Sequence, residues 1–196
     1  MRQAGYFAGY GRCNSLFRRR LGRRLKDIRG VLRVNLNNLR SNTQSKQMHL
    51  AGPDGQSLEL RIVGYQFPHL ESEEYDSNWL IVEGKVVHPR GEWTFRSPCL
   101  LTYEVASLAD WLDSVVRGRP RSEKKGFIEP NLRVQFVESF FFGARLRVYF
   151  EAESRPSWAA GEDDLWVELS ASDFDLRRAA ASLRGQLERY PQRAAR

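Results

Sequence analysis

The chain has few of the residues on which most catalytic or covalently braced proteins depend. It contains two cysteines, Cys13 and Cys99, and three histidines, in 196 residues. Two distant cysteines make no disulfide framework, which points to a reducing compartment. His49, His69 and His88 stand at no metal-ligand spacing from one another or from a cysteine, so no metal is expected. His88, beside Pro89 in a turn, reads as an exposed surface histidine. There is no G-x-S-x-G elbow, no phosphate-binding P-loop and no G-x-G-x-x-G; Gly9-Tyr10-Gly11 lacks the strand–helix context that would give it meaning. Nucleophilic catalysis would need Cys99 or a serine beside a positioned base, and the histidines offer none. Cys99, in the apolar run Cys99-Leu100-Leu101, reads as a small buried side chain. No stretch approaches the roughly 20 apolar residues of a membrane span, and no hydrophobic signal region is present. An enzyme, a cofactor, a small-molecule substrate and a membrane are therefore not expected.

Acidic residues are almost missing from one region. Residues 1–47 carry twelve Lys/Arg and one acid, Asp27, whereas the remaining 149 residues carry 19 basic and 23 acidic groups. The net charge of +7 therefore belongs to an N-terminal arm, and the rest is mildly acidic. Three readings fit the arm. Translation could begin at Met48, leaving residues 1–47 non-native. The arm could be a targeting peptide, since Leu21, Leu25, Ile28 and Leu32 fall at helical intervals with arginines opposite. It could also be a polycationic tail that neutralises phosphates of nucleic acid or lipid. No aromatic beyond Phe17 interleaves with its arginines, as base stacking would require. Residues 1–47 are expected to be a disordered or non-native extension. A nucleic-acid-associated protein using this arm is the alternative function, and nucleic acid is a partner only if the arm is genuine.

Residues 48–196 have the length of one globular domain. Ser57–Tyr65 alternates, with Leu58, Leu60 and Ile62 on one face and Glu59 and Arg61 on the other, which predicts a half-buried strand. Residues 78–87 predict another, with Gly84 marking a bulge. Residues 92–96 and 99–102 read as two pieces of strand bent around Pro98. Val105, Leu108, Leu112 and Val115 then predict an amphipathic helix over about 103–117. Strands are expected at 127–128, 132–137, 145–153 and 165–169, with Gly143 turning a hairpin. Ser172 is a candidate N-cap for a second helix over about 172–189, striped by Leu176, Ala180, Leu183 and Leu187 and stopped by Pro191. The order predicts an α+β fold of mainly antiparallel strands, as a sandwich or a partly open barrel.

Two groups of residues could carry function. Glu104, Glu129 and Glu153 could serve as acid and base only if they shared one pocket. Their simpler roles are a helix-start charge, a turn acceptor and, with Glu151, a solvated face. The acidic segments Glu71, Glu73, Glu74, Asp76 and Glu162, Asp163, Asp164 could instead steer a basic partner. Trp79 would anchor that interface, with Trp158 and Trp166 also suited to it.

A set of short strings then becomes informative: Gly64-Tyr65-Gln66-Phe67-Pro68, Tyr75-Asp76-Ser77-Asn78-Trp79-Leu80, and Pro98-Cys99-Leu100-Leu101-Thr102-Tyr103-Glu104. They continue with Leu108-Ala109-Asp110-Trp111-Leu112, Phe127-Ile128-Glu129-Pro130-Asn131-Leu132, Glu151-Ala152-Glu153, Pro156-Ser157-Trp158 and Tyr190-Pro191-Gln192-Arg193. In order and spacing over nearly all of residues 56–193, this succession resembles bacterial immunity proteins of the WapI type. The resemblance implies a cytoplasmic binding protein without catalytic residues. Its partner would be the C-terminal toxin domain of a wall-associated polymorphic toxin. An acidic body suits a basic toxin such as a nuclease. No catalytic role transfers to any position.

Overall fold

The alternation of apolar and charged residues after Met48 folds into a sheet because each strand has one face to bury and one to leave in water. The computed structural model describes residues 47–120, 122–161 and 163–193, which lie in one compact unit, Ser45–Arg196. Apart from Gln47, the arm lies outside the described residues, as does Glu162.

Strands β1 (Met48–Ala51), β2 (Ser57–Tyr65), β3 (Trp79–His88) and β4 (Gly91–Leu101) form the first sheet, in chain order and antiparallel throughout. Helix α1 (Thr102–Val116) follows directly. Strands β5 (Lys124–Lys125), β6 (Leu132–Phe140), β7 (Gly143–Phe150) and β8 (Trp166–Ser172) repeat the meander as a second sheet, and α2 (Asp173–Leu187) ends it. The fold is α+β with two separate antiparallel sheets and no closed barrel. No helix among the described residues is long and apolar enough to cross a membrane.

The inner faces of both sheets and the facing sides of both helices share one core. Leu58, Leu80 and Val82 come from the first sheet, Leu146 and Phe150 from the second, Leu112 from α1 and Leu176 from α2. Two glutamines join the layers. Gln56 accepts a hydrogen bond from the Glu168 N–H of β8 at 3.1 Å. Gln186 of α2 accepts from Ile62 N–H at 2.6 Å and donates to the Leu60 carbonyl at 3.4 Å, beside a register shift in β2. Buried amides are stable there because each meets backbone groups that would otherwise lack partners. Gly52 fits against the same strand: a Cβ on it would lie 1.9 Å from the Glu168 carbonyl oxygen.

Several expectations are corrected. Gly84 pairs regularly with Leu60 and Phe95, and the bulges lie elsewhere, between Ile62 and Gly64 and between Leu80 and Ile81. Gly84 instead makes room for Phe95, whose ring would be 2.1 Å from an added Cβ. Strand β4 runs unbroken through Pro98, which an edge strand tolerates because only one of its sides is paired. The short strand lies at Lys124–Lys125 and not at 127–128, and β7 stops at Phe150. Gly143 opens β7 and does not make the turn before it; that turn is Phe141-Phe142. Ser172 caps α2 by accepting from Asp175 N–H at 3.2 Å, where the sequence placed it.

Candidate functional site

The connection from β2 to β3, residues 66–78, exposes Glu71, Glu73, Glu74 and Asp76 together with Tyr75, which is 45% exposed. Repulsion among four neighbouring carboxylates would keep such a loop open unless its backbone were held from below. Two fully buried residues hold it. Ser77 Oγ accepts from Glu73 N–H at 2.8 Å. Asn78 donates to the Glu74 carbonyl at 2.9 Å while its Oδ1 accepts from Thr102 Oγ at 2.8 Å and from Arg193 N–H at 3.0 Å. One amide thus joins the loop, the start of α1 and the segment after α2.

Arg193 completes the clamp. Its guanidinium donates to the carbonyls of Pro68 at 2.9 Å and Leu70 at 2.8 Å, and reaches that of Phe67 at 3.4 Å. It also lies over the Tyr65 ring, 3.5 Å from the centroid. Tyr65 in turn donates to the Pro191 carbonyl at 2.5 Å and meets the Tyr190 ring edge-on at 5.7 Å. Burial is the main cause that raises the Tyr65 pKa, so this donor stays protonated well into alkaline pH. Trp79 is half-buried at the start of β3, where its carbonyl accepts from Gln66 N–H at 2.9 Å. Three of the strings quoted above, 64–68, 75–80 and 190–193, therefore meet in one built corner although they lie far apart in the chain.

The second acidic segment belongs to the other sheet, on the connection from β7 to β8. Asp163 is exposed, and its carbonyl accepts from Arg155 at 3.3 Å. The Asp164 carboxylate lies 3.4 Å from Arg133, which also pairs with Glu151 at 3.5 Å and covers the Tyr149 ring at 4.1 Å. Trp158 packs at the β3–β4 turn against Trp93 and His88 beneath the Arg90 guanidinium, whereas the 66–78 loop joins the opposite end of β3. His88 is consequently half-buried between two indoles, not the exposed histidine expected.

Cys99 is fully buried, and the charges of Glu104, Glu129 and Glu153 act on it. Burial pushes the Cys99 thiol up to about 12; a hydrogen bond with Ser97 opposes this, and the three carboxylate charges add to it. Two of the three are occupied as backbone and amide acceptors. Glu104 accepts from Leu101 N–H at 2.9 Å and Ile128 N–H at 2.7 Å, fastening the start of α1 to the segment before β6. Glu153 is exposed, and its own N–H and the Asn131 amide at 2.9 Å lower its pKa, opposite to what a proton donor needs. Among the described residues no group of three His, Cys, Asp or Glu could hold a metal ion.

Sequence reasoning missed two features. The Arg193 clamp was visible only as one of several short strings, because a single arginine beyond a helix announces no contact. The turn between β6 and β7 presents Phe140, Phe141 and Phe142 to solvent, and the triplet following polar Glu138-Ser139 was its only signal.

Compared with known proteins, the chain matches one family model, that of the immunity protein WapI-like family, over residues 49–191. Neither the curated proteins nor the solved structures gave a match.

Proposed function

The chain belongs to the immunity protein WapI-like family, and on that premise we propose that it neutralises a cognate C-terminal toxin domain in the cytoplasm by covering its substrate surface. Binding, not catalysis, does the work, and residues 48–196 alone suffice for it. The observation that carries this reading is the clamped loop. Glu71, Glu73, Glu74 and Asp76 stand exposed on a backbone fixed by Asn78 and Arg193. A preformed loop loses little conformational entropy on binding, and its charge attracts a basic surface such as that of a nuclease. A nuclease so covered would lose access to phosphates that the carboxylates replace.

Calorimetry against the toxin domain encoded beside the gene tests the reading. A Kd of about nanomolar, corresponding to roughly 12 kcal/mol, is expected, with weaker binding at higher salt. Neutralising the loop with E71Q, E73Q, E74Q and D76N should weaken association and flatten the salt dependence. Binding and protection at wild-type level in that variant would remove the loop from the interface, and no binding by the wild type would remove the reading.

A further inference from the structure

The β6–β7 turn places its largest apolar side chains where water is most accessible. Phe141 is 86% exposed, Phe142 69% and Phe140 45%, and Phe174 in the first turn of α2 is 50% exposed. The Phe141 and Phe142 rings lie 4.2 Å apart between centroids. Phe142 has φ of 67°, in the left-handed region that two-residue turns usually give to Gly or Asn. A bulky residue there is strained, and such residues persist where surrounding contacts enforce them. Here they do. The Phe142 carbonyl accepts from Asp173 N–H at 2.9 Å at the start of α2, and Gly143 lies so close to Ala171 and Phe140 that a Cβ would be 2.5 Å from each. The chain thus holds an aromatic knob rigidly against its own preference for both burial and backbone shape.

The chemistry of the knob selects its occupant. Covered phenylalanines bury about 150–250 Å² each. At these exposures the four rings offer roughly 500 Å², more than half of the about 800 Å² that each partner contributes to a standard interface. The charges beside them cancel: Glu138 pairs with Arg145 at 2.9 Å and Asp175 with Arg178 at 3.3 Å, while Asp173 stands near Arg177 in sequence. An anionic bilayer would need an excess of Lys or Arg at this rim, and there is none. A second copy would have to receive a convex aromatic knob. The large recess on the outer face of the first sheet, about 570 Å³, is lined by Glu59, Arg61, Glu83, Lys85 and Arg96 and is unsuited to it.

We propose that Phe141 and Phe142, flanked by Phe140 and Phe174, are the apolar anchor that seats this chain in an uncharged recess of the toxin domain. The proposal rests on the function proposed above. The knob and the acidic loop lie at opposite ends of α2, whose fifteen residues span about 22 Å, so one partner could meet both.

The test uses the full chain and the toxin domain encoded beside the gene. The double variant F141A/F142N removes both rings and supplies a residue suited to the turn. It should melt no lower than wild type, weaken Kd at least about 30-fold and leave the salt dependence unchanged, as expected when a hot spot is lost. F141A alone, which leaves the turn untouched, should show a large part of the loss. Wild-type affinity in the double variant overturns the anchor while sparing the immunity reading; no binding by wild-type protein overturns both. Knob-dependent sedimentation with phosphatidylcholine–phosphatidylglycerol vesicles, or knob-dependent dimers in sedimentation velocity, would assign the surface to lipid or to a second copy and also overturn it.

Discussion

The two sheets have the same plan, four antiparallel strands in chain order, but their connections follow different rules. In the first sheet the left-handed positions fall on Asp54, Gly55 and Gly91, residues that accept them readily. In the second, Gly161 is joined by Phe142 and Ala152, which do not. The outer faces differ as well. Both carry ion pairs, Arg61–Glu83–Arg96 on the first and Arg133–Glu151 and Arg147–Glu168 on the second, but only on the second do those arginines also lie over aromatic rings, Tyr149 and Trp166. Each sheet has one long loop fastened by a fully buried polar residue, Asn78 or Ser154. Asn78 joins its neighbour Glu74 to two distant segments, at Thr102 and Arg193, while Ser154 joins its neighbour Glu151 to one, at Asn131. Where the local residues suit the turn, the tertiary ties are free to hold a charged loop. Where they do not, the ties are used to hold the turn itself.

Substitutions can break or sharpen this contrast. The largest expected effect is at the joint of the sheets: Gly52→Ala should destabilise by about 3 kcal/mol, because the Glu168 carbonyl is backbone and cannot give way. Denaturant unfolding that moved by less than about 1 kcal/mol would show that the sheets tolerate separation there. Next, Asn78→Ala should lower stability by about 2–3 kcal/mol and Ser154→Ala by about 1–2, since the first loses ties to two distant segments and the second to one, and the larger side chain leaves the larger space. Equal losses would abolish the distinction between the two fasteners.

A third expectation concerns pH. The Cys99 thiol is held protonated up to about 12 in the fold against 9.0 as its ordinary value. Its contribution to stability is complete below pH 9 and is lost as pH rises toward 12, by about 1.4 kcal/mol per unit, because only the unfolded thiol then ionises. Unfolding measured from pH 8 to 10.5 in wild type and Cys99→Ala should differ in slope. Identical slopes would mean that the thiol is reached by solvent. The smallest effect has the opposite sign to the rest: Phe142→Gly should stabilise by about 1 kcal/mol, net of backbone entropy, while Asp54→Gly changes little. A destabilised Phe142→Gly would mean that the rings contribute to the fold itself.

Most of the fold was legible because period and capping are local signals. The Leu58/Leu60/Ile62 alternation, the stripe of α1 and the Ser172 cap all lie where residue spacing puts them. The errors came where a distant neighbour decides. Gly84 is small because of Phe95 across the strand, and Pro98 is harmless because β4 is an edge. The exposure of Glu71 to Asp76 could be read from composition, but not the Asn78–Arg193 clamp beneath them, which joins residues 115 apart. Glu104 was read as a helix-start charge and is one, with Ile128 as a second partner that no spacing rule supplies.

That clamp has a consequence for the order of synthesis. The ribosome finishes both sheets and α2 before it reaches Tyr190–Arg193, so a nascent chain can complete its strands while the 66–78 loop still lacks its fastener. Competence to meet a charged partner would then arrive only with residues 190–193, and a product cut short before Tyr190 would look folded by spectroscopy yet carry a slack loop.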